Sequence, residues 1–354
     1  MEVGRAFTED SVTAQVFFFE CPVEVMNFAL PIGRRPCKKF AALMQTSTFD
    51  WIADDGKRIV VHEWTPDGNT SPRAIVHVVH GMSEHAARYA RVAEVLTASG
   101  FVVVAHDQRG HGKTATDDEL GFFGSEDGWG RAIADIRGIL AHTRTKYPGV
   151  RQAVLGHSMG SFLTQRIMSE EGPNLSAVVL SATDGPPNAL ARAGVYVARA
   201  ERARLGDRGK SSLLQGLSFD GFNRAFRPNR TAFDWLSRDE AEVDKYVADP
   251  RCGFPATASL WVQLLEALPT LLQPDVVGKI PKTLPIYVLA GAEDPVHGKT
   301  KNLKGLLDAY AKVGLREVTY RVWPGARHEV FNETNRTQVI AELNEWLEKK
   351  LPAV

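Results

Sequence analysis

What most restricts the fold of this chain is a repeated pattern of short apolar runs, several of them separated by helical stretches. Residues 74–79 (AIVHVV) and 101–105 (FVVVA) are continuous and rich in β-branched side chains. Residues 153–155 (AVL), 175–181 (LSAVVLS) and 283–290 (TLPIYVLA) are similar. Runs of this kind suit strands covered on both faces of a sheet. Residues 317–323 (EVTYRVW) alternate as a further strand. Helical spacing is expected at 88–99, 129–147 and 161–168. Strands alternating with helices predict a mostly parallel sheet with helices on both faces. A hairpin of residues 47–52 and 59–64, turning at Asp54-Asp55-Gly56, is expected in front of it.

One strand–helix junction carries chemistry. Gly156-His157-Ser158-Met159-Gly160 follows an apolar run and opens a helix. A nucleophilic serine has to stand clear of the sheet on a tight turn, and the flanking glycines keep side chains out of the crowded space around it. The Met159 N–H then lies at a helix N-terminus, where it can face a developing oxyanion. A second donor is expected from the loop after residue 79, where Gly81 allows the turn and Met82 supplies the N–H. An acid and a histidine follow at two later strand ends, Asp294 after residues 283–290 and His328 after 317–323. Ser158 is a poor nucleophile until His328 takes its proton, and Asp294 would orient the imidazole. Asp184, at the end of an earlier strand, competes with Asp294 for that place.

Length and charge narrow the classes. The 354 residues suffice for one large α/β domain with an insertion, or for two domains. Lys plus Arg and Asp plus Glu balance at 42 each, so nothing points to nucleic acid. Cys21, Cys37 and Cys252 are too few and scattered for a disulfide framework or a zinc site, which makes a reducing, cytoplasmic compartment the expectation. The histidines around Gly110 lack metal-ligand spacing.

Residues 1–45 lack the alternation and are expected to be a partly disordered, dispensable extension. The α/β domain is expected at 46–183 and 281–354. Residues 184–280 break the pattern and are expected to form a helical cap over the strand ends, where such folds bind ligands. Its Leu260, Trp261, Leu264, Leu265 and Leu268 recur at helical spacing. With Leu213, Leu214 and Leu217 they either line an acyl pocket or pack the cap onto the core. The arginines of 192–205 form a solvated face, or meet an anionic lipid surface at the membrane periphery.

Three motifs together carry a resemblance. His80-Gly81-x-x-Glu84-His85-x-x-Arg88-Tyr89, Asp107-x-Arg109-Gly110-His111-Gly112 and the Ser158 turn resemble the monoacylglycerol lipase and bacterial lysophospholipase branch of the α/β-hydrolases, over roughly residues 45–354. The order Ser158, Asp294, His328 is similar to that family's triad. The resemblance implies a serine esterase removing one acyl chain from glycerol or a lysophospholipid, without metal or organic cofactor. It implies Met82 and Met159 as oxyanion donors. Ser161 departs from the further glycine usual in monoacylglycerol lipases. A proline-specific aminopeptidase or a carbon–carbon bond hydrolase is the alternative enzyme, and a non-catalytic binding protein a third reading. An aminopeptidase would need cap acids for the substrate ammonium, and Asp239, Glu240, Glu242 and Asp244 cluster there.

Overall fold

The computed structural model describes residues 44–68 and 71–353. The expectations for Cys21, Cys37 and the extension up to residue 43 lie outside them.

β1 (Gln45–Ile52) and β2 (Arg58–Thr65) form the expected hairpin. β3 (Ile75–Val79) leads through a 3₁₀ turn at Ala86–Tyr89 into α1 (Ala90–Ala98). β4 (Val102–His106), α2 (Gly128–Lys146), β5 (Gln152–His157), α3 (Met159–Glu170) and β6 (Ala177–Ser181) follow. Next comes a helical insertion that adds no strand to the sheet. Its helices are α4 (Ala189–Leu205), α5 (Ser212–Leu217), α6 (Phe219–Asn223), α7 (Glu240–Ala248), α8 (Ala258–Leu271) and α9 (Pro274–Val277). β7 (Ile286–Gly291), α10 (Leu303–Lys312), β8 (Val318–Trp323) and α11 (Arg336–Lys350) complete the order.

The eight strands lie in the order β1-β2-β4-β3-β5-β6-β7-β8. From β4 to β8 all pairs are parallel, while β1 and β2 run antiparallel at one edge. The period of two along each strand sends alternate residues to opposite faces. Val154, Val178 and Val288 pack with α2, α3 and the insertion, whereas Leu155, Val179 and Leu289 pack with α1 and α11. This explains why the runs read as unbroken: both faces are covered.

The chain leaves β3 toward β4 on one side and later enters β5 on the other. The loops after β3 and β5 therefore part at a topological switch point, where a crevice opens. Register puts Val79 beside Gly156, His157 beside Ser181, and Gly291 beside Trp323. The loops that follow these residues carry Gly81, Ser158, Asp294 and His328.

Candidate active site

Ser158 joins β5 to α3 at φ 50°, ψ −121°, a backbone state that costs a non-glycine residue on the order of 1–3 kcal/mol. The surroundings hold it there. Its N–H donates to Ser181 O at 2.9 Å. A Cβ on Gly160 would run into the carbonyl oxygens of Val79 and His80, so α3 approaches β3 this closely only with glycine at that place. Ser161 is buried, and its Oγ donates to the Ser158 carbonyl at 2.6 Å, a brace that glycine would not supply.

Met159 is the first residue of α3, so its N–H belongs to the free donors at the helix's positive end. Gly81 faces the nucleophile: a Cβ there would stand 3.2 Å from that of Ser158. His80 sets the next peptide. Its Nε2 accepts the Gln108 N–H at 3.0 Å, which leaves Nδ1–H to donate to Gly81 O at 2.8 Å. Since C=O and N–H of a trans peptide point opposite ways, the Met82 N–H is turned away from His80. Among the described residues, neither the Met82 nor the Met159 N–H has a protein acceptor.

The residues expected as base and acid meet. His328 Nδ1 lies 2.8 Å from Asp294 Oδ2, and both side chains are buried. The turns bearing them are laced together by Glu293 N–H to Ala326 O and Ala292 N–H to Trp323 O. His328 sits beside the Ser158 turn, its ring centroid 5.1 Å from that of His157. Burial alone would lower the His328 pKa; the Asp294 carboxylate, with Glu329 and Glu84, overrides this and raises it above the ordinary value. Burial likewise pushes Asp294 up, but His328, His297 and the Val296 N–H bring it below the usual carboxylate range. His297 takes part unannounced by any motif. Its Nδ1 accepts the Thr300 N–H at 2.8 Å, and Nε2 stands 3.3 Å from Asp294 Oδ2.

The competing Asp184 and the neighbouring Glu293 are elsewhere. Asp184 accepts from the Gly185 N–H at 2.7 Å, with Asn302 Nδ2 at 3.4 Å, and burial pushes its pKa up to about 7. Glu293 is ion-paired with Lys299 at 2.5 Å near the surface.

Leu214 and Leu264 are buried in the apolar cluster that contains Met159, and Leu265 packs against it. Leu213 is 49% exposed, so the four leucines do not form one surface. Leu260, Trp261 and Leu264 of α8 join Phe162 and Ile167 of α3 in that cluster, which packs the insertion onto the sheet domain. The apolar groups nearest the chemistry are different ones. Trp235 lies with its ring centroid 4.8 Å from His328 and accepts the His328 N–H at its carbonyl, 3.4 Å away. Phe219 packs against Trp235 in a tilted pair, centroids 5.4 Å apart. Met82 and Val296 pack against the same cluster. The buried Trp235 Nε1 has no hydrogen-bond partner among the described residues. Phe219 and Trp235 lie outside any periodic stretch, so only their aromatic character marks them in sequence.

The four acids of this stretch pair with arginines: Asp239 with Arg336 at 2.5 Å, Glu242 with Arg91 at 2.8 Å, Asp244 with Arg230 at 2.5 Å, and Glu240 with the same Arg230 at 3.7 Å. Three of the four α4 arginines are also ion-paired, Arg199 with Glu266, Arg202 with Asp207 and Arg204 with Glu201, while Arg192 donates to the Pro187 carbonyl. Of the loop histidines, His111 accepts the Ser83 N–H at Nε2, and burial lowers its pKa to about 4. The donor set that converges among the described residues is His85, Asp249 and Cys252, with one ligand atom each within 4.8 Å of the others. His85 already pairs with Asp249 at 2.8 Å, and burial pushes the Cys252 thiol up, away from the thiolate a metal needs.

Comparison with known proteins agrees with this architecture. The family described as serine aminopeptidase, S33 (Hydrolase_4) matches residues 70–335. A monoacylglycerol lipase of Mycolicibacterium smegmatis is 31% identical over 299 residues, covering 82% of this chain and 93% of its own. A monoglyceride lipase of Homo sapiens is 26% identical over 307 residues, covering 84% and 88%. A thermostable carboxyl esterase from Bacillus coagulans, solved with glycerol, superposes with a TM-score of 0.79 at 26% identity, covering 86% of this chain and 99% of that one. The chain is a member of the α/β-hydrolases, in the family described as serine aminopeptidase, S33, and within its monoacylglycerol-lipase-like branch.

Proposed function

We propose that the protein is a serine hydrolase that cleaves the carboxylic ester of a mono-acyl lipid, a monoacylglycerol or a lysophospholipid, through an acyl-enzyme. The observation that carries this reading is the buried Asp294–His328 pair, 2.8 Å apart, beside a nucleophile turn walled by apolar and aromatic side chains. Ser158 Oγ gives its proton to His328 as it attacks the ester carbonyl, and Asp294 stabilises the imidazolium that forms. The Met82 and Met159 N–H groups receive the oxyanion. His328 returns its proton to the departing glyceryl or glycerophosphoryl oxygen, and a water then repeats the sequence on the acyl-enzyme. The acyl chain lies along Met82, Phe219, Trp235 and Val296, with Leu214 behind them. Kinship with proteins named monoacylglycerol lipase and monoglyceride lipase supports the substrate class.

The family description names an aminopeptidase, but the acids that would anchor an ammonium are neutralised by Arg336, Arg91 and Arg230. Peripheral contact with a lipid surface belongs to the same reading. Tyr196, Leu213 and Leu217 are exposed on α4 and α5, and no helix among the described residues is long and apolar enough to cross a membrane.

A fluorophosphonate probe and a panel of monoacylglycerols, lysophospholipids and prolyl anilides test the proposal. Ser158 should be labelled, and kcat/KM on monoacylglycerols should rise with chain length, each methylene adding close to fourfold (about 0.8 kcal/mol) until the wall is covered. Faster cleavage of prolyl anilides than of any ester would overturn it.

A further inference from the structure

The motif His80-Gly81-x-x-Glu84-His85-x-x-Arg88-Tyr89 contains more than the oxyanion turn requires. Glu84, Arg88 and Tyr89 converge on one largely buried network, while His85 pairs with Asp249. Glu84 Oε1 accepts the Gly81 N–H at 2.5 Å and the Tyr89 hydroxyl at 2.9 Å. Glu84 Oε2 accepts from Arg88 Nη1 at 2.6 Å. The same guanidinium grips Glu329 with both ends, at 2.7 and 2.7 Å. Glu329 is the residue after His328, and its own N–H is tied to Leu236 O at 2.8 Å. One arginine thus spans the loop after β3 and the loop after β8. Two carboxylates against one guanidinium leave a surplus negative charge. The trio lines a small cavity together with His157 and Arg91.

We propose that Arg88 is a positioning residue that couples the two halves of the catalytic apparatus. Through Glu84 it fixes the Gly81–Met82 turn, through Glu329 it fixes the turn presenting His328, and the surplus charge favours the imidazolium during acyl transfer. This rests on the reading of Ser158 and His328 as nucleophile and base. The trio is bonded at one end to the Gly81 N–H, beside the expected oxyanion turn, and at the other to Glu329, the neighbour of His328. The groups that face His328 are Asp294 on Nδ1, His297 behind Asp294, His157 from β5, Trp235 from the insertion, and Glu84 and Glu329 from the trio. Burial keeps His157 neutral, with a pKa of about 4. Asp294 is the largest of the charges that favour the imidazolium, and Glu329 and Glu84 add to it, with the Arg88 guanidinium between them.

The test uses Arg88→Lys and Glu329→Gln in the full chain, with ester hydrolysis followed from pH 5 to 9 and a thermal melt of each. Arg88→Lys keeps the charge but not the fork, so kcat should fall about tenfold with KM changed less than about threefold. Glu329→Gln keeps the shape and removes one charge. Its acid limb should move down by about half a pH unit or more, with a similar loss in kcat. A lower Tm with kcat within about twofold of wild type and an unmoved acid limb would make the trio a structural brace and overturn the proposal. Ser158→Ala is run in parallel. Activity surviving there would overturn the reading of the site itself, whereas a dead Ser158→Ala beside unaltered Arg88→Lys and Glu329→Gln would overturn the coupling alone.

Discussion

Asp294 and Asp184 follow neighbouring strands, yet their surroundings give them opposite characters. Asp294 has the His328 imidazole on one oxygen and is held in its charged form. Asp184 has only neutral partners, the Gly185 N–H and Asn302, and burial raises its pKa to about 7. Asp294→Asn should therefore cut kcat by about 10⁴ through the wrong imidazole tautomer, while Asp184→Asn should stay within about twofold, both read by steady-state ester hydrolysis. Asp184 also makes a stability prediction. A carboxyl whose folded pKa is raised gives stability that is fully present below its unfolded pKa and is lost as pH rises through about 7. Asp184→Asn should remove that loss and raise Tm at pH 8 by roughly 2–4 °C, with little effect at pH 4. His328 is the opposite case for activity. Its pKa is raised and the base works neutral, so the acid limb of kcat/KM should lie above the ordinary value of about 6.5. A limb below that value would mean that Asp294 does not carry its charge in the free enzyme.

At the scale of the element, α8 and α5 have different tasks. The α8 stripe has its periodicity because one side of the helix packs into the cluster shared with α3. Leu264→Ala should cost about 2–5 kcal/mol in denaturant unfolding, with short-chain and long-chain ester rates changing together. Leu213 and Leu217 on α5 are exposed, so Leu213→Asp with Leu217→Asp should leave stability within about 0.5 kcal/mol for each substitution. If this face meets lipid, that double variant should lose vesicle binding and the hydrolysis of aggregated substrate while keeping the rate on a soluble short-chain ester. Equal rates on both substrates, in variant and wild type, would remove α5 from any interfacial role. The helical spacing of α8 was legible in sequence, but whether it lined a pocket or packed a core was not. Periodicity says which face is apolar, not what the face meets.

For the molecule as a whole, the candidate site lies at the strand ends and the insertion packs beside it. Asp294, His328 and Ser158 come from three strand ends, and Trp235 and Leu236 of the insertion bond back to the backbone of His328 and Glu329. We propose that residues 184–280 act as one cap on this footing. Removing residues 1–43 tests the other end. β1 is paired along its length with β2, so a chain starting at Met44 should melt cooperatively and hydrolyse ester at an unchanged rate. Insolubility or lost activity would assign the removed residues a structural part.

The amino-acid sequence by itself determined the alternation of buried strands and helices, the glycine-flanked turn at Ser158, and the order in which acid and base follow it. These are local properties: they depend on periodicity, on the space beside one Cα and on chain order, all of which survive in a string of letters. The tertiary structure decided the rest. It placed Asp294 rather than Asp184 on His328, gave the acids near α7 to arginines, buried Leu260, Trp261 and Leu264 of the stripe, and brought Arg88 to Glu329 across 241 positions. Each of those outcomes turns on distance and burial between residues far apart in the chain. Charge pairing and desolvation act through space, and spacing along the sequence does not encode them.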